Sequence, residues 1–379
     1  MKDGFIKVAA GTPDVQVADC EFNAAEIIKM VREMEAEGAR VMVFPELCIT
    51  AYTCGDLFWQ ENLLEEAKVQ LMRIAEETAD VDAIIFVGLP LEYKGKLYNV
   101  AAGLNHGEIL GFVPKTYLPN YNEFYEARYF TSGEDVDGTV TIRRSEYGLH
   151  HDEEMTDEDV EFGLEAEVEA LEEEDSFEEL EEIDEEPDYI DEDETEEFDE
   201  VDVPISSNIL FICQEMPKLK IAAEICEDLW VPNPPSVGHA YHGANLIVNL
   251  SASDEVVGKD SYRKSLVSAQ SARLLCGYIY ATAGEGESTQ DLVFGGHNII
   301  AENGTTLVSS ERFRNEVIYT ELDVKRLLSE RRKNTTFQTE KERMLIRIPF
   351  SIHVEETELT RKFASRPFVP SVMAERNLR

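Results

Sequence analysis

The 379-residue sequence contains no run of 18 apolar residues and no apolar segment following the lysines near its amino terminus. A membrane-spanning helix needs about 20 predominantly apolar residues, and a secretory signal peptide needs an apolar core behind its first positive charges. Both features are missing. We therefore expect a cytoplasmic protein without a membrane segment.

Basic residues are scarce, and one long stretch has none. Of the 78 acidic residues, 31 lie between Asp152 and Asp202, where no Lys or Arg occurs. The remaining 47 acidic residues stand against 34 basic ones, so the rest of the chain is mildly acidic. A polyanion would be repelled by this field, and the sequence has no basic stripe, so we expect no nucleic-acid partner.

Paired cysteines are also missing. The six cysteines are scattered, and a chain of this length with 43% apolar residues can bury a core without disulfides. Cys48 and Cys54 have no second pair that would complete a zinc site, and His150-His151 lies in an acidic stretch. We expect free thiols and no metal or cofactor in this domain.

The acidic block itself extends from about residue 145 to residue 203. Its self-repulsion opposes a compact structure, so we interpret 145–203 as a disordered, solvated insertion. Two alternatives remain open. The block could be an arm that binds a partner or cations, or an ordered acidic helical excursion in an oligomer.

Outside this block the pattern alternates between strands and helices. Phe5 to Ala10 predicts a strand, and the apolar spacing from Asn23 to Glu37 predicts a helix that ends at Gly38. Residues 83–89, 97–104 and 109–113 are apolar runs separated by turn sequences, which predicts an antiparallel meander. Strands and helices continue to alternate after residue 208, so we expect two sheets covered by helices.

Three reactive side chains, Glu46, Lys115 and Cys226, each come just past the end of an apolar strand-like run. A thiol acts as a nucleophile only after losing its proton, so a carboxylate and an amine at neighbouring strand ends would suit Cys226. Each residue also has a common structural use. Cys226 could be a core residue, Glu46 a helix cap and Lys115 a surface lysine.

Three sequence blocks resemble the signature blocks of the nitrilase, or carbon-nitrogen hydrolase, superfamily. They are Phe44-Pro45-Glu46-Leu47, Pro114-Lys115 followed by Tyr117-Leu118-Pro119, and Cys226-Glu227-Asp228-Leu229-Trp230. The residues of these blocks resemble the glutamine amidotransferase domains of the glutamine-dependent NAD+ synthetase family more closely still. The further blocks of that type are Cys54-Gly55-Asp56-Leu57-Phe58, Tyr121-Asn122-Glu123-Phe124-Tyr125-Glu126, Asn249-Leu250-Ser251-Ala252-Ser253 and Ala283-Gly284-Glu285-Gly286-Glu287-Ser288-Thr289.

The resemblance implies an α/β fold, the nitrilase-type four-layer α-β-β-α sandwich with two mixed sheets. It places the carbon-nitrogen hydrolase domain at residues 1–345 and a linker toward a synthetase domain at 346–379. The sequence has neither a Ser-Gly-Gly-x-Asp-Ser loop nor a Walker-type loop. ATP and Mg are therefore expected only for a synthetase domain or subunit elsewhere, and family members suggest a homo-oligomer.

The same resemblance implies roles for individual residues. Cys226 would be the nucleophile, Glu46 the general base and Lys115 the donor to the oxyanion. Glu126 would brace the lysine, although Glu123 is close enough to keep that assignment open. The implied substrate-binding residues are Tyr52, Tyr121, Phe124, Glu227, Ser253 and Lys259.

The function implied is hydrolysis of the glutamine side-chain amide through a Cys226 thioester. The products are glutamate and ammonia, and the ammonia would serve NAD+ synthesis from deamido-NAD+. One alternative is a free-standing amidase or nitrilase of the same superfamily. Another is a non-enzymatic acidic scaffold that kept the fold.

Overall fold

The computed structural model describes residues 2–143, 200–289, 291–337, 345–363 and 369. The acidic insertion predicted for 145–203 lies almost entirely outside these described residues. The chain divides into two compact units, of which Thr141–Asp202 is the smaller. In the described part of the smaller unit, Thr141 donates a hydrogen bond to Asp202 (2.8 Å) and Arg143 pairs with Glu200 (2.5 Å).

Fifteen strands form two sheets in the described parts of the chain. In chain order they are β1 (Phe5–Gly11), β2 (Val41–Val43), β3 (Ile84–Tyr93), β4 (Lys96–Asn105), β5 (Glu108–Pro114), β6 (Asp137–Arg143), β7 (Glu200–Ser206), β8 (Ile209–Cys213), β9 (Lys220–Ile225), β10 (Leu246–Ser251), β11 (Gly277–Thr282), β12 (Ile299–Glu302), β13 (Thr305–Ser309), β14 (Val317–Asp323) and β15 (Ile346–Phe350).

Both sheets are mixed. The first has the order β14-β1-β2-β3-β4-β5-β7-β6, with β1, β2 and β3 parallel and β3, β4 and β5 forming the predicted antiparallel meander. The second has the order β13-β12-β11-β10-β9-β8-β15, with β9, β10 and β11 parallel. Parallel neighbours point their carboxyl ends to the same edge of a sheet, where α/β proteins usually bind ligands.

Helices cover the sheets. They are α1 (Cys20–Ala36), α2 (Glu61–Glu77), α3 (Pro235–Tyr241), α4 (Lys259–Leu274) and α5 (Val324–Lys333). Helix α1 begins where Asp19 accepts a hydrogen bond from the Phe22 amide (3.0 Å), an ordinary N-cap. Among the described residues, every helix is too short or too polar to span a bilayer.

Two of the apolar cores between the layers show how the described residues pack. One lies between the sheets, where Phe86 of the first sheet meets Phe211 of the second edge to face at 5.3 Å between ring centroids. The other lies between the second sheet and helices α3 and α4, and includes Val267 and Tyr278. Edge-to-face aromatic pairs and complete burial stabilise such interfaces. The layers confirm the predicted α/β fold, with two mixed sheets and helices.

Three elements were not predicted from the sequence: β7, β15 and α3. Strand β15 lies in residues assigned above to a linker, and it pairs in parallel with β8 at the edge of the second sheet. Ile348 and Phe350 are buried, while Arg347 and Pro349, which alternate with them, are exposed. An edge strand tolerates proline because one side of its backbone has no ladder to form. The structure thus places the first five residues of that proposed linker within the fold.

Candidate active site

Cys226 follows the last residue of β9 and begins a 3₁₀ turn, Cys226–Leu229. Its φ angle of 43° lies in the left-handed region, which a non-glycine residue rarely adopts unless its surroundings enforce it. The side chain is 6% exposed. The nucleophile candidate is therefore held in a strained turn at a strand end, with narrow access to solvent.

Lys115, directly after β5, has no exposed surface. Its Nζ contacts Oε1 of Glu46 and Oε1 of Glu126, both at 2.6 Å. Glu46 comes just after β2, and Glu126 begins a short 3₁₀ turn, Glu126–Arg128. Burial opposes the charged ammonium, but the carboxylates of Glu126 and Glu46 outweigh it and raise the pKa of Lys115 well above its ordinary value.

The two carboxylates have different surroundings. Glu46 also accepts hydrogen bonds from Asn99 Nδ2 (2.6 Å) on Oε1 and from the Ala252 amide (2.9 Å) on Oε2. Glu126 accepts the Tyr52 hydroxyl (2.8 Å) on Oε1, whereas its Oε2 has no hydrogen-bond partner among the described residues. Burial raises the pKa of Glu126 to about 7; Lys115 opposes this rise and the charge of Glu46 adds to it.

The thiol responds to the same charges. Burial raises the pKa of Cys226, Glu46 raises it further, and Lys115 works in the opposite direction. The resting thiol therefore keeps its proton at neutral pH. A nucleophilic role would require a base to remove this proton, and Glu46 is the carboxylate with the strongest effect on the thiol.

Asp228 joins the two strand ends that carry Lys115 and Cys226. Its Oδ1 accepts the amides of Tyr117 (2.8 Å) and Thr116 (3.1 Å), and its Oδ2 accepts the amide of Ile225 (3.0 Å). Sequence reasoning did not single out this residue. The available signal was an aspartate just past a strand end, where short acidic side chains bind free backbone amides.

A cavity of 450 Å³ opens onto Cys226. It is lined by five of the six predicted substrate-binding residues, namely Tyr121, Phe124, Glu227, Ser253 and Lys259. Tyr52 does not line it. Tyr52 lines a neighbouring cavity of 460 Å³ instead, together with Glu126 and Phe124. Its hydroxyl is engaged by Glu126, so the structure gives Tyr52 a bracing contact rather than a place at the cavity wall.

The wall of the Cys226 cavity carries both signs of charge. The Tyr121 hydroxyl donates to Glu227 Oε1 (2.8 Å). The ammonium of Lys259 pairs with Asp254 and lies over the rings of Trp230 (5.3 Å) and Phe124 (5.7 Å). A carboxylate and a cation facing one pocket suit a ligand that carries an ammonium and a carboxylate of its own.

Residues 7–332 match the family described as carbon-nitrogen hydrolase. The chain belongs to the carbon-nitrogen hydrolase family. This confirms the family membership that the three sequence blocks predicted. The match includes Glu46, Lys115, Glu126 and Cys226.

Among curated relatives, the glutamine-dependent NAD(+) synthetase of Mycobacterium tuberculosis is 33% identical over 378 residues, covering 97% of this chain and 47% of that protein. The corresponding protein of Aquifex aeolicus is 27% identical over 331 residues, covering 86% of this chain and 44% of the relative. This carbon-nitrogen hydrolase therefore spans about half the length of the curated relatives it matches.

Solved structures agree on the fold. A glutamine-dependent NAD(+) synthetase from Cytophaga hutchinsonii superposes with a TM-score of 0.61 at 25% identity, covering 84% of this chain and 43% of the other. A Nesterenkonia amidase from the nitrilase superfamily superposes with a TM-score of 0.56 at 16% identity, covering 86% of this chain and 94% of the amidase. The four-layer arrangement predicted above is thus that of the nitrilase fold.

Glu123 and Glu126, the two candidates for the brace on the lysine, differ in their contacts. Glu126 is buried and contacts Lys115, whereas Glu123 is partly exposed and lines both cavities. The catalytic and binding roles of these residues in this carbon-nitrogen hydrolase remain predictions.

Proposed function

We propose that this carbon-nitrogen hydrolase domain cleaves the side-chain amide of glutamine, giving glutamate and ammonia through a thioester on Cys226. The observation that carries the proposal is the fully buried Lys115 ammonium between Glu46 and Glu126, because the charges of these three groups act on the thiol of Cys226, which lines the cavity. The similarity to glutamine-dependent NAD(+) synthetases supports glutamine as the substrate.

The cavity offers a site for the amino-acid head group. Glu227, whose carboxylate is fixed by Tyr121, would accept the substrate ammonium, and Lys259 would bind the substrate carboxylate with Ser253 beside it. Phe124 would pack against the aliphatic side chain. Binding both charged ends would direct the side-chain amide toward Cys226 and orient it for attack.

In the proposed reaction, Glu46 takes the proton of the Cys226 thiol as the sulfur attacks the amide carbon. The resulting oxyanion is stabilised by the Lys115 ammonium and by the backbone amide of Glu227; one such donor is worth about 3 kcal/mol of barrier. Glu46 then passes its proton to the leaving nitrogen, and the carbon-nitrogen bond breaks to release ammonia.

The γ-glutamyl thioester is hydrolysed in the second half of the reaction. Glu46 takes a proton from water as the water oxygen attacks the thioester carbon. Lys115 again stabilises the oxyanion, and the proton held by Glu46 returns to the departing sulfur. Glutamate leaves, and Cys226 regains its thiol, so each turnover consumes one water and no other reagent.

We further propose that the ammonia is used to convert deamido-NAD+ to NAD+ in a synthetase domain or subunit. The support is that relatives about twice as long as this chain are glutamine-dependent NAD(+) synthetases. ATP and Mg would act in that synthetase part. Association into a homo-oligomer is a prediction from the family.

The test compares glutamine with butyramide, which keeps the amide but lacks both charged groups. The wild type should release glutamate from glutamine, and butyramide should be a much poorer substrate because Glu227 and Lys259 have nothing to bind. Cys226→Ala should abolish the activity. Cys276→Ala, which removes a buried thiol on the far side of the second sheet, is the matched control.

Preference for butyramide would favour a free-standing amidase instead. Glutamate release by Cys226→Ala at the wild-type rate would contradict the assigned nucleophile.

A further inference from the structure

Glu287 is a buried carboxylate for which the proposed reaction has no use. It lies on the loop after β11, within the block Ala283 to Thr289. Its Oε1 accepts the Tyr52 amide (2.8 Å), and its Oε2 accepts the Thr53 amide (3.0 Å) and the Thr53 hydroxyl (2.6 Å). The Ser288 amide in turn donates to the Thr53 hydroxyl oxygen (2.8 Å). One loop of the second sheet thus holds the backbone of a loop of the first.

The loop that Glu287 holds is strained. Ala51, directly before Tyr52, has φ 68° and ψ 154°, a region of backbone space that is populated almost only by glycine. Ala51 is fully buried, so its conformation is enforced by surrounding structure. The three hydrogen bonds to Glu287 act on the two residues that follow, and are suited to keep the strained conformation in place.

The loop carrying Glu287 is itself fixed. Gly286 has φ 109°, and a Cβ atom there would overlap the carbonyl oxygen of Val15, in the loop after β1. Only glycine lets the two loops approach this closely. Glu287 is therefore held on a rigid support rather than on a flexible turn.

The strained loop leads to the catalytic groups. The Tyr52 hydroxyl donates to Oε1 of Glu126, the same oxygen that contacts the ammonium of Lys115. Contacts therefore run from Glu287 through the backbone of Tyr52 to its hydroxyl, then to Glu126 and Lys115. A shift of the Tyr52 backbone would remove one of the two donors on that oxygen and leave Lys115 less firmly placed.

We propose that Glu287 is a positioning residue, which holds the strained Ala51–Thr53 loop so that the Tyr52 hydroxyl braces Glu126 beside Lys115. This inference rests on the proposed glutaminase function. It assigns Glu287 no contact with substrate, and it predicts an effect on turnover rather than on substrate binding.

The first experiment is a double-mutant cycle between Glu287→Gln and Tyr52→Phe, measured as kcat and KM for glutamine. Glu287→Gln should lower kcat about tenfold or more, with little change in KM. The amide nitrogen of glutamine cannot accept a hydrogen bond, so one N–H donor of the loop would lose its partner. In the Tyr52→Phe background, Glu287→Gln should lower kcat by less than about twofold, because the Tyr52 hydroxyl that Glu287 positions is already gone. Losses that multiply in the double variant would overturn the proposal.

The second experiment is rescue by glycine. Glycine adopts the backbone angles of Ala51 without strain, so Ala51→Gly in the Glu287→Gln background should restore most of the lost kcat. If Glu287→Gln lowered kcat only by destabilising the protein as a whole, Ala51→Gly would not restore it. Glu285→Gln, an exposed neighbour in the same loop, is the matched control and should keep wild-type kcat.

Crystal structures of the variants give a readout that does not depend on activity. The 2.8 Å contact between the Tyr52 hydroxyl and Glu126 should be lost in Glu287→Gln and return with Ala51→Gly. If wild-type protein releases no glutamate, the proposed function fails, yet this structural prediction still stands or falls by itself. Should Glu287→Gln fail to fold, Thr53→Val removes one of the three hydrogen bonds to Glu287, together with the one from the Ser288 amide, and should show the same effects on kcat and on the contact at smaller size. An unchanged contact in the variant crystals would contradict the positioning role.

Discussion

Lys115 is the residue on which the geometry of the site depends most. It is completely buried, and its ammonium is the only cation that contacts Glu46 and Glu126 among the described residues. Removing one partner from a buried ion pair leaves uncompensated charge in a medium that solvates it poorly. Lys115 therefore matters for folding as well as for the oxyanion.

Lys115→Met should destabilise the protein by about 3–5 kcal/mol at pH 8, measured by urea denaturation. The loss of stability should be smaller at pH 5, where protonation can neutralise the Glu126 carboxyl left behind. Adding Glu126→Gln, which removes one stranded charge, should restore part of the stability. A Lys115→Met variant as stable as the wild type at pH 8 would show that the carboxylates do not need the ammonium for folding.

The raised pKa of Glu126 leads to a second prediction, on how stability depends on pH. Burial raises its pKa to about 7 in the folded protein from a reference value of 4.5, so the native state holds a proton that the unfolded state loses first. The stability contributed by this carboxyl is therefore fully present below pH 4.5 and is lost as pH rises through 7.

Glutamine at position 126 does not titrate. The free energy of unfolding of Glu126→Gln, taken relative to the wild type, should therefore rise between pH 4.5 and 7, by at most about 3 kcal/mol. Chemical denaturation of both proteins across this range measures the difference. A constant or falling difference would mean that the folded protein does not raise the pKa of Glu126.

At the scale of elements, the site is assembled where strands end. Glu46 and Lys115 follow strands of the first sheet, and Cys226 follows a strand of the second. Asp228 ties two of these ends together through the amides of Thr116, Tyr117 and Ile225. Because the anchored amides flank Lys115 and Cys226 along the chain, the hydrogen bonds set the spacing between ammonium and thiol.

Asp228→Asn should therefore lower kcat for glutamine by about tenfold or more, with a smaller effect on KM. The amide nitrogen of asparagine cannot accept, so at least one of the three backbone donors loses its partner. Asp135→Asn, at an exposed carboxylate, should leave kcat unchanged. Equal effects of the two substitutions would mean that Asp228 does not set the geometry.

Elements with strong periodicity were predictable, and those without it were not. Helix α1 and the meander of β3, β4 and β5 have long apolar patterns that only one kind of element satisfies. Helix α3 is short, and its buried positions are Ser236, His239 and Ala240, which give no apolar stripe. Strand β15 alternates over only five residues and contains Pro349, which argues against a strand in the absence of its neighbours.

The candidate site was predictable to a similar extent. Strand ends and family blocks indicated Glu46, Lys115 and Cys226 before their positions were known. Two contacts were not predictable: the hydrogen bond from the Tyr52 hydroxyl to Glu126 and the one from the Tyr52 amide to Glu287. Each joins loops that are distant in sequence. Sequence patterns report local periodicity, and they carry no signal for such long-range polar partners.

At the scale of the whole molecule, the packing of the two sheets decides whether the site exists. The apolar core between the sheets includes Phe86, Phe211 and the Cys226 side chain itself. The proposed base and nucleophile are thus supplied from opposite sides of one core. The contacts that pack the two sheets together therefore also bring these two residues into one site. The acidic block, which carries much of the net charge of −44, lies in sequence between the segments that supply Lys115 and Cys226.

The most direct test of the proposed chemistry is the intact mass of the protein quenched with acid during turnover of glutamine. We predict a species heavier by one γ-glutamyl group, with the added mass on the peptide that contains Cys226, and no such species in Cys226→Ala. Glutamate production with the added mass on another cysteine, or with the adduct persisting in Cys226→Ala, would contradict the assignment of Cys226 as the nucleophile.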